Sequence, residues 1–180
     1  MWSAADVCVM PVIVTCRVGC VDALPRQFRC RCSTIAVMTA ETKVVRCPEC
    51  GKKNRVPTVA SGRPTCAVCK QPLPWLVTAD DSDVTRAIAG PGLVLLDLWA
   101  PWCGPCRAVA PILEQVSTEY AGRVKVVKVN VDHSPKTATR FRASSIPTLV
   151  FLRTGTEVDR IVGAPTKPVL KARVDSLLAG

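Results

Sequence analysis

Cys103 and Cys106 stand three residues apart in the octet Trp-Ala-Pro-Trp-Cys-Gly-Pro-Cys (residues 99–106), directly after an apolar run, Leu93 to Leu98, that only Asp97 interrupts. At the first turn of a helix this spacing lets both sulfurs meet in one disulfide. Cys103 would sit at the helix N-terminus, where unpaired backbone N–H groups and the helix dipole favour a thiolate. The thiolate is the attacking species in disulfide exchange, so the placement itself suggests a chemistry. Half a zinc site, or two ordinary thiols, would be the plainer explanation of a Cys-x-x-Cys pair. A strand before it, a helix after it and Pro105 between the sulfurs favour redox chemistry.

A second cysteine pattern has a different character. Cys47-Pro-Glu-Cys50-Gly51 and Cys66-Ala-Val-Cys69-Lys70 are separated by a polar stretch. Two such pairs at this distance predict one structural zinc held by four thiolates, with no open position for catalysis. Gly51 can take the left-handed turn that aims backbone amides at sulfur. So short a segment cannot bury a sufficient core, so the metal is expected to hold its fold. Two disulfides are the competing use of the same four residues, and their formation would expel the metal and loosen the segment, which would make the zinc site redox-responsive.

The elements that must position these groups read clearly in places. Asp80 to Asp83 offer caps for a short helix carrying Val84, Ala87 and Ile88 and closed by Gly90, and Leu93 to Trp99 predicts a buried central strand. Val109, Ile112, Leu113, Val116 and Tyr120 recur at helical spacing, so the redox helix runs to about Tyr120, with a kink expected at Pro111. Val124 to Val131 predicts a second strand. Ser134-Pro135 predicts the cap and first residue of a helix to about Phe141. Thr148 to Arg153 and Glu157 to Val162 flank Gly155 as a hairpin, and Leu170, Val174, Leu177 and Leu178 give a last helix one apolar face. Pro72 and Pro74 mark a short, stiff linker before the alternating strands and helices.

Bulk properties narrow the class. The 180 residues carry a net charge of +10, unevenly spread: +2 over residues 1–37, +5 over 38–70 and +3 over 71–180. The excess lies in the cysteine-pair segment, but no base-reading helix accompanies it, so nucleic acid is not an expected partner. No run approaches the length of a membrane span. Cys8, Cys16, Cys20, Cys30 and Cys32 lack metal spacing, and Val7 to Val14 is apolar without the basic start of a signal peptide. The character changes at Met38, which is expected to be the true first residue. A disordered extension or a targeting segment, with Val21-Asp22-Ala23 as a possible cleavage site, is the alternative. The expected organisation is therefore an extension (1–37), a zinc ribbon and linker (38–74) and an α/β redox domain (75–180).

From about Trp75 to Gly180 the chain resembles the thioredoxin family. Residues 96–107 (Leu-Asp-Leu-Trp-Ala-Pro-Trp-Cys-Gly-Pro-Cys-Arg), 110–114 (Ala-Pro-Ile-Leu-Glu), 127–132 (Val-Lys-Val-Asn-Val-Asp) and 145–149 (Ser-Ile-Pro-Thr-Leu) carry the likeness, together with Val162-Gly163. With the four-cysteine segment in front, it looks like the zinc-ribbon subgroup, the bacterial thioredoxin 2 type. The resemblance implies a central mixed sheet flanked by helices and a protein-disulfide reductase. It also implies a monomer in the cytoplasm, regenerated by an NADPH-dependent thioredoxin reductase and acting on oxidised protein substrates. Its redox group is the Cys103–Cys106 disulfide, with no bound organic cofactor.

Transferred onto this chain, the family mechanism makes Cys103 the more exposed, attacking thiol and Cys106 the resolving one. A carboxylate in an apolar strand should have a raised pKa, and the resemblance gives Asp97 the proton of Cys106 and Lys128 the place of its nearby cation. The Ile146–Pro147 bond is implied to be cis and to face the redox pair. Trp102, Gly104, Pro105, Ile146, Gly163 and Ala164 would form the substrate surface, with Trp99 packing beneath it and His133, the only histidine, on the surface. Leu98 and Ala143-Ser144 depart from the usual family residues without touching this set. A zinc-dependent redox chaperone or binding module is the alternative role. A secreted oxidase or isomerase is disfavoured by Gly104-Pro105, which adds no side chain to stabilise the thiolate further.

Overall fold

The computed structural model describes residues 42–59, 63–90 and 92–180. The expectations for residues 1–37, their five cysteines and Met38 lie outside the described residues. All that is described belongs to one compact unit, Met38–Gly180.

The chain opens on two short strands, β1 (Thr42–Arg46) and β2 (Lys53–Pro57), paired antiparallel with Val45 opposite Asn54 and Arg46 opposite Lys53. There follow β3 (Trp75–Ala79), α1 (Val84–Ile88), β4 (Leu93–Trp99), α2 (Gly104–Glu119), β5 (Val124–Asn130), α3 (Pro135–Arg140), β6 (Thr148–Arg153), β7 (Thr156–Val162) and α4 (Lys167–Ala179). The last five strands make a mixed sheet in the order β3-β5-β4-β6-β7. β5 runs parallel to β3 and β4, while β6 runs antiparallel to β4 and β7. This is the mixed α/β sheet that the sequence led us to expect.

β4 lies at the centre because its residues suit nothing else: Leu93 to Leu98 are all buried, and a strand buried on both faces needs a continuous apolar run. Alternation sends Leu93 and Leu95 to the face shared with Val109, Leu113 and Val116 of α2 and Leu170 and Val174 of α4. Val94, Leu96 and Leu98 face the other core, with Val84 and Ile88 of α1, Val127 and Val129 of β5, and Phe141. That second core also contains Cys47, Val56, Cys66 and Leu73. The ribbon segment and the redox domain therefore share one apolar cluster. Thr42, Lys43 and Thr58 stand around a small cavity with Val77 and Thr78, which puts the ribbon beside the sheet's β3 edge.

α2 runs from Gly104 to Glu119 as one element through Pro111, with Tyr120 as its C-cap, the extent that the helical spacing predicts. Two local details differ from expectation. Ser134 is the N-cap residue of α3, but its side chain makes no cap bond. Asp81 supplies the cap instead, accepting from the backbone N–H groups of Lys136 (3.1 Å) and Thr137 (2.8 Å), a tertiary contact invisible to local pattern. The hairpin strand β7 starts one residue earlier than predicted, at Thr156, because Thr154 (φ 48°) and Gly155 (φ 79°) make a two-residue turn of the left-handed type that matches strand twist.

The turn between α2 and β5 rests on the linker. Gly122 has φ 74°, and a Cβ there would stand 2.8 Å from the Cβ of Pro72. Gly122→Ala combines a left-handed penalty with a clash against a rigid ring, so it should lose about 2–3 kcal/mol of stability, read from urea unfolding. An unchanged midpoint would mean that the Pro72 contact yields freely.

Candidate functional site

Strand β4 ends at Trp99, and the turn through Ala100 and Pro101 delivers Cys103 to the N-cap of α2 in an extended conformation (φ −77°, ψ 106°). The Cys103 sulfur accepts a hydrogen bond from the backbone N–H of Cys106 at 3.2 Å. This is one of the otherwise unpaired donors of a helix start, and it is aimed at the Cys103 sulfur. Cys103 and Cys106 are joined as a disulfide with their Cα atoms 5.3 Å apart. In this oxidised form Cys103 is 4% exposed and Cys106 5%, so the expected difference in exposure is absent. The Ile146 carbonyl oxygen lies 3.7 Å from the Cys103 sulfur. The asymmetry that remains is electronic: Cys103 receives the helix N–H.

The segment before β6 faces this disulfide. The Ile146–Pro147 bond is cis, Thr148 Oγ1 donates to the Ser145 carbonyl (2.6 Å), and the Gly163 N–H donates to the Pro147 carbonyl (2.8 Å). Gly163, just past β7, is thereby fixed beside Pro147. Ile146 and Gly163 are half-buried, while Trp102, Gly104, Pro105 and Ala164 are exposed. Trp102 is 68% exposed, an unusual position for a large aromatic side chain. Its indole N–H donates to both carboxylate oxygens of Asp132, at 3.0 and 3.3 Å. Asp132 gave no signal of this in the sequence, since the partners are thirty residues apart.

Asp97 belongs to the α2 face of β4, two residues on from Leu95 and two before Trp99. It is 3% exposed, and its Oδ1 has no hydrogen-bond partner. Burial pushes its carboxyl up to about 6, against the opposing pull of the Lys128 ammonium. Lys128 is its register partner on β5 but does not close to an ion pair with it; its Nζ stands 4.8 Å from the centre of the Trp99 ring. The Trp99 indole N–H is also buried and unpartnered. Ala100, Cys103 and Cys106 pack with Trp99, Val131 and Ile146 in one small cluster. His133 is exposed, with Nδ1 3.5 Å from the Asn130 amide nitrogen.

The second cluster has knuckle geometry. The N–H of Gly51 donates to the Cys47 carbonyl, and that of Lys70 to the Cys66 carbonyl; the N–H groups of Cys47 and Cys66 donate to Lys52 and Gln71. The two loops are thus copies of one turn, closed by Gly51 (φ 71°) in one and Lys70 (φ 62°) in the other. The four sulfurs lie within 4.8 Å of one another, with Cys47–Cys69 and Cys50–Cys66 each at 3.5 Å. Sulfurs around a tetrahedral zinc, at about 2.3 Å from the metal, stand about 3.8 Å apart, so the donor set fits that ion. Backbone N–H groups of Cys69 and Val68 draw the Cys66 thiol down to about 6. The Gln71 N–H lowers Cys69, but burial and the neighbouring thiols outweigh it and push that group up to about 12. Asn54, which the sequence reading missed, ties the knuckles together. Its amide donates to the Lys52 carbonyl (2.8 Å) and lies 3.6 Å from the Cys66 sulfur, and its oxygen accepts from the Ala67 N–H (3.0 Å).

The thioredoxin family model matches residues 75–176. This chain belongs to the thioredoxin family. It is 41% identical over 102 residues to a thioredoxin of Alicyclobacillus acidocaldarius, covering 57% of the chain and 97% of that relative. A thioredoxin of Synechocystis sp. is 49% identical over 85 residues, 47% of the chain and 79% of the relative. The chloroplastic M-type thioredoxin of Pisum sativum is 47% identical over 85 residues, 47% of this chain, which spans only 49% of that relative's length. The thioredoxin domain is thus of the disulfide oxidoreductase kind, and the four-cysteine segment lies outside the matched residues. Among the described residues no helix is long and apolar enough to cross a membrane.

The Asp97 environment gives a stability prediction. A carboxyl held at about 6 in the fold, against roughly 3.9 when unfolded, binds its proton more tightly in the native state. Its contribution is favourable below about pH 4 and is lost as pH rises through about 6. Asp97→Asn should therefore leave stability nearly unchanged at pH 4 and raise it by about 3 kcal/mol at pH 8, read from urea unfolding at both values. Equal effects at the two pH values would show that the carboxylate is solvated.

Proposed function

We propose that this protein is a protein-disulfide reductase of the zinc-ribbon thioredoxin subgroup, the bacterial thioredoxin 2 type. The observation that carries the reading is the Cys103 sulfur at the N-cap of α2, disulfide-bonded to Cys106 and faced by the cis Ile146–Pro147 segment. In the dithiol form, Cys103 thiolate attacks one sulfur of a substrate disulfide. The other substrate sulfur leaves as a thiolate and takes a proton. Cys106 then loses its proton to Asp97 and attacks the Cys103 sulfur of the mixed disulfide. The second substrate thiol departs, and the protein is left with the Cys103–Cys106 bond described above. Two electrons have passed to the substrate.

Burial gives Asp97 a pKa close to neutrality, where a carboxyl exchanges protons most usefully. Lys128, beside it in register, keeps the charged form accessible. Trp102, Gly104, Pro105, Ile146, Gly163 and Ala164 make the surface on which an extended substrate segment lies. Pro147 offers no N–H of its own and leaves the preceding backbone free to pair with that segment. Regeneration is assigned to an NADPH-dependent thioredoxin reductase, the substrates are oxidised proteins, and the setting is the cytoplasm. Cys47, Cys50, Cys66 and Cys69 hold one structural zinc, whose bonds to sulfur replace a core too small to fold the ribbon.

The test is insulin reduction coupled to NADPH through thioredoxin reductase, with zinc measured on the same protein. One zinc per chain is expected, with turnover abolished by Cys103→Ser. Cys106→Ser should accumulate a mixed disulfide at Cys103 and lose multiple turnover. Reductase turnover that survives Cys106→Ser would overturn the two-step exchange. Zinc binding without any turnover would leave a binding module.

A further inference from the structure

Asp97 and Lys125 are the charged side chains that the fold buries among the described residues, and the chemistry above uses only the first. Lys125 is 3% exposed in the middle of the sheet, and none of the ion pairs among the described residues includes it. Its Nζ donates to two backbone carbonyls, Thr58 and Ala87, each at 2.7 Å. The ammonium also stands 4.2 Å from the centre of the Trp75 ring, while the Trp75 indole N–H donates to the Pro57 carbonyl at 3.0 Å. Burial pushes the ammonium down to about 8, against the opposing pull of Asp83. A cation in that position is costly, and two carbonyls and a ring face are what offset the cost.

These partners come from three parts of the chain. Pro57 and Thr58 are the exit of the ribbon strand β2, Ala87 lies in α1, and Trp75 opens the edge strand β3. If the ribbon unfolds, Lys125 loses one of its two acceptors and Trp75 loses its own. The ammonium is then left under-satisfied inside an apolar cluster that also contains Cys47 and Cys66. Opening of the neighbouring α1 and β3 to water is the available relief. We propose that Lys125 and Trp75 form a latch through which metal occupancy of the ribbon governs local stability of the thioredoxin domain at α1 and β3. This rests on the reading of the four thiols as a zinc site. Because linkage is reciprocal, weakening the latch also weakens the hold on the metal.

The test uses the full chain, wild type, Lys125→Met and Trp75→Phe. Zinc content is measured first, then amide hydrogen exchange of zinc-loaded and chelator-stripped protein, then zinc affinity by competition with a chromophoric chelator. In the wild type, stripping should speed exchange in β1 and β2 and, by about tenfold, in β3 and α1 as well. In Lys125→Met the ribbon should still open, but β3 and α1 should no longer respond, since no cation is stranded. Zinc should be bound about tenfold more weakly by this variant, and by a smaller factor in Trp75→Phe, which keeps the ring and loses the indole donor. Should Lys125→Met fail to fold, Trp75→Phe decides, through a reduced response at β3 and α1. A wild type whose β3 and α1 ignore zinc, or variants that respond as fully as the wild type, overturns the latch alone. A wild-type chain that takes up no zinc overturns the metal reading, and the latch as a metal sensor with it.

Discussion

The arrangement depends on one constraint, a central strand buried on both faces that must still present chemistry at its end. β4 satisfies it with six buried residues in succession, which fix the strand so firmly that the turn after it has little freedom. That rigidity sets Cys103 at the start of α2, and strand pairing does the rest. β5 brings Lys128 opposite Asp97. β6, antiparallel on the other side with Leu98 opposite Thr148, brings Pro147 to the same end of the sheet. Asp97 on β4 with Cys103 just after it, Lys128 on β5 and Pro147 before β6 thus come from three adjacent strands, and their relative positions follow from backbone hydrogen bonds. A site built on such elements keeps its geometry more tightly than one assembled from loops. The cost is concentrated at Asp97, whose unpartnered oxygen lies in the same apolar layer that gives the strand its hold.

The ribbon solves a different problem with the same economy. It has two short strands and two knuckles, and its inward-facing residues are Asn54 and Val56 of β2 together with two of the four thiols. This is too little apolar area for an independent core. Its few buried groups join the cluster formed by α1 and one face of strands β3 to β6, so the buried Cys47 and Cys66 and the thioredoxin core exclude water together. Asn54 shows the detail this requires. One amide satisfies both knuckles and lies close to a sulfur, which neither an aspartate nor an aliphatic residue of that size could do.

How much of this was legible depended on whether the signal was local. β4, α2, β5, the β6–β7 hairpin and α4 were readable because long runs or repeated spacing leave few alternatives. The four paired cysteines were readable by spacing, and Asp97 by its isolation among aliphatic residues. β1 and β2 were missed: Thr-Lys-Val-Val-Arg and Lys-Asn-Arg-Val-Pro alternate only weakly, since one inward position is the polar Asn54. β3 was missed because five residues after a proline are too few to distinguish from linker. The cap on α3, the Trp102–Asp132 bond and the burial of Lys125 join residues far apart in sequence. A lysine in an apolar strand reads as a side chain that reaches solvent, and only the position of Thr58 and Ala87 shows that it does not. The greater exposure expected of Cys103 does not appear in the oxidised pair, where the two cysteines are equally buried.

The position of β3 has a practical consequence for anyone dividing the molecule. It is the outermost strand of the sheet, yet Trp75, Leu76, Val77 and Ala79 are all buried, and Trp75, Val77 and Ala79 share their apolar cluster with the ribbon's Cys47, Val56 and Cys66. A fragment trimmed to the matched family region would begin on this strand and present an uncovered, largely aliphatic edge. Such edges template strand-to-strand association between copies. The fragment would retain every residue of the redox centre and still expose Trp75 and Val77, which the ribbon helps to cover. Shortening this chain is therefore a question of colloidal behaviour before it is one of catalysis.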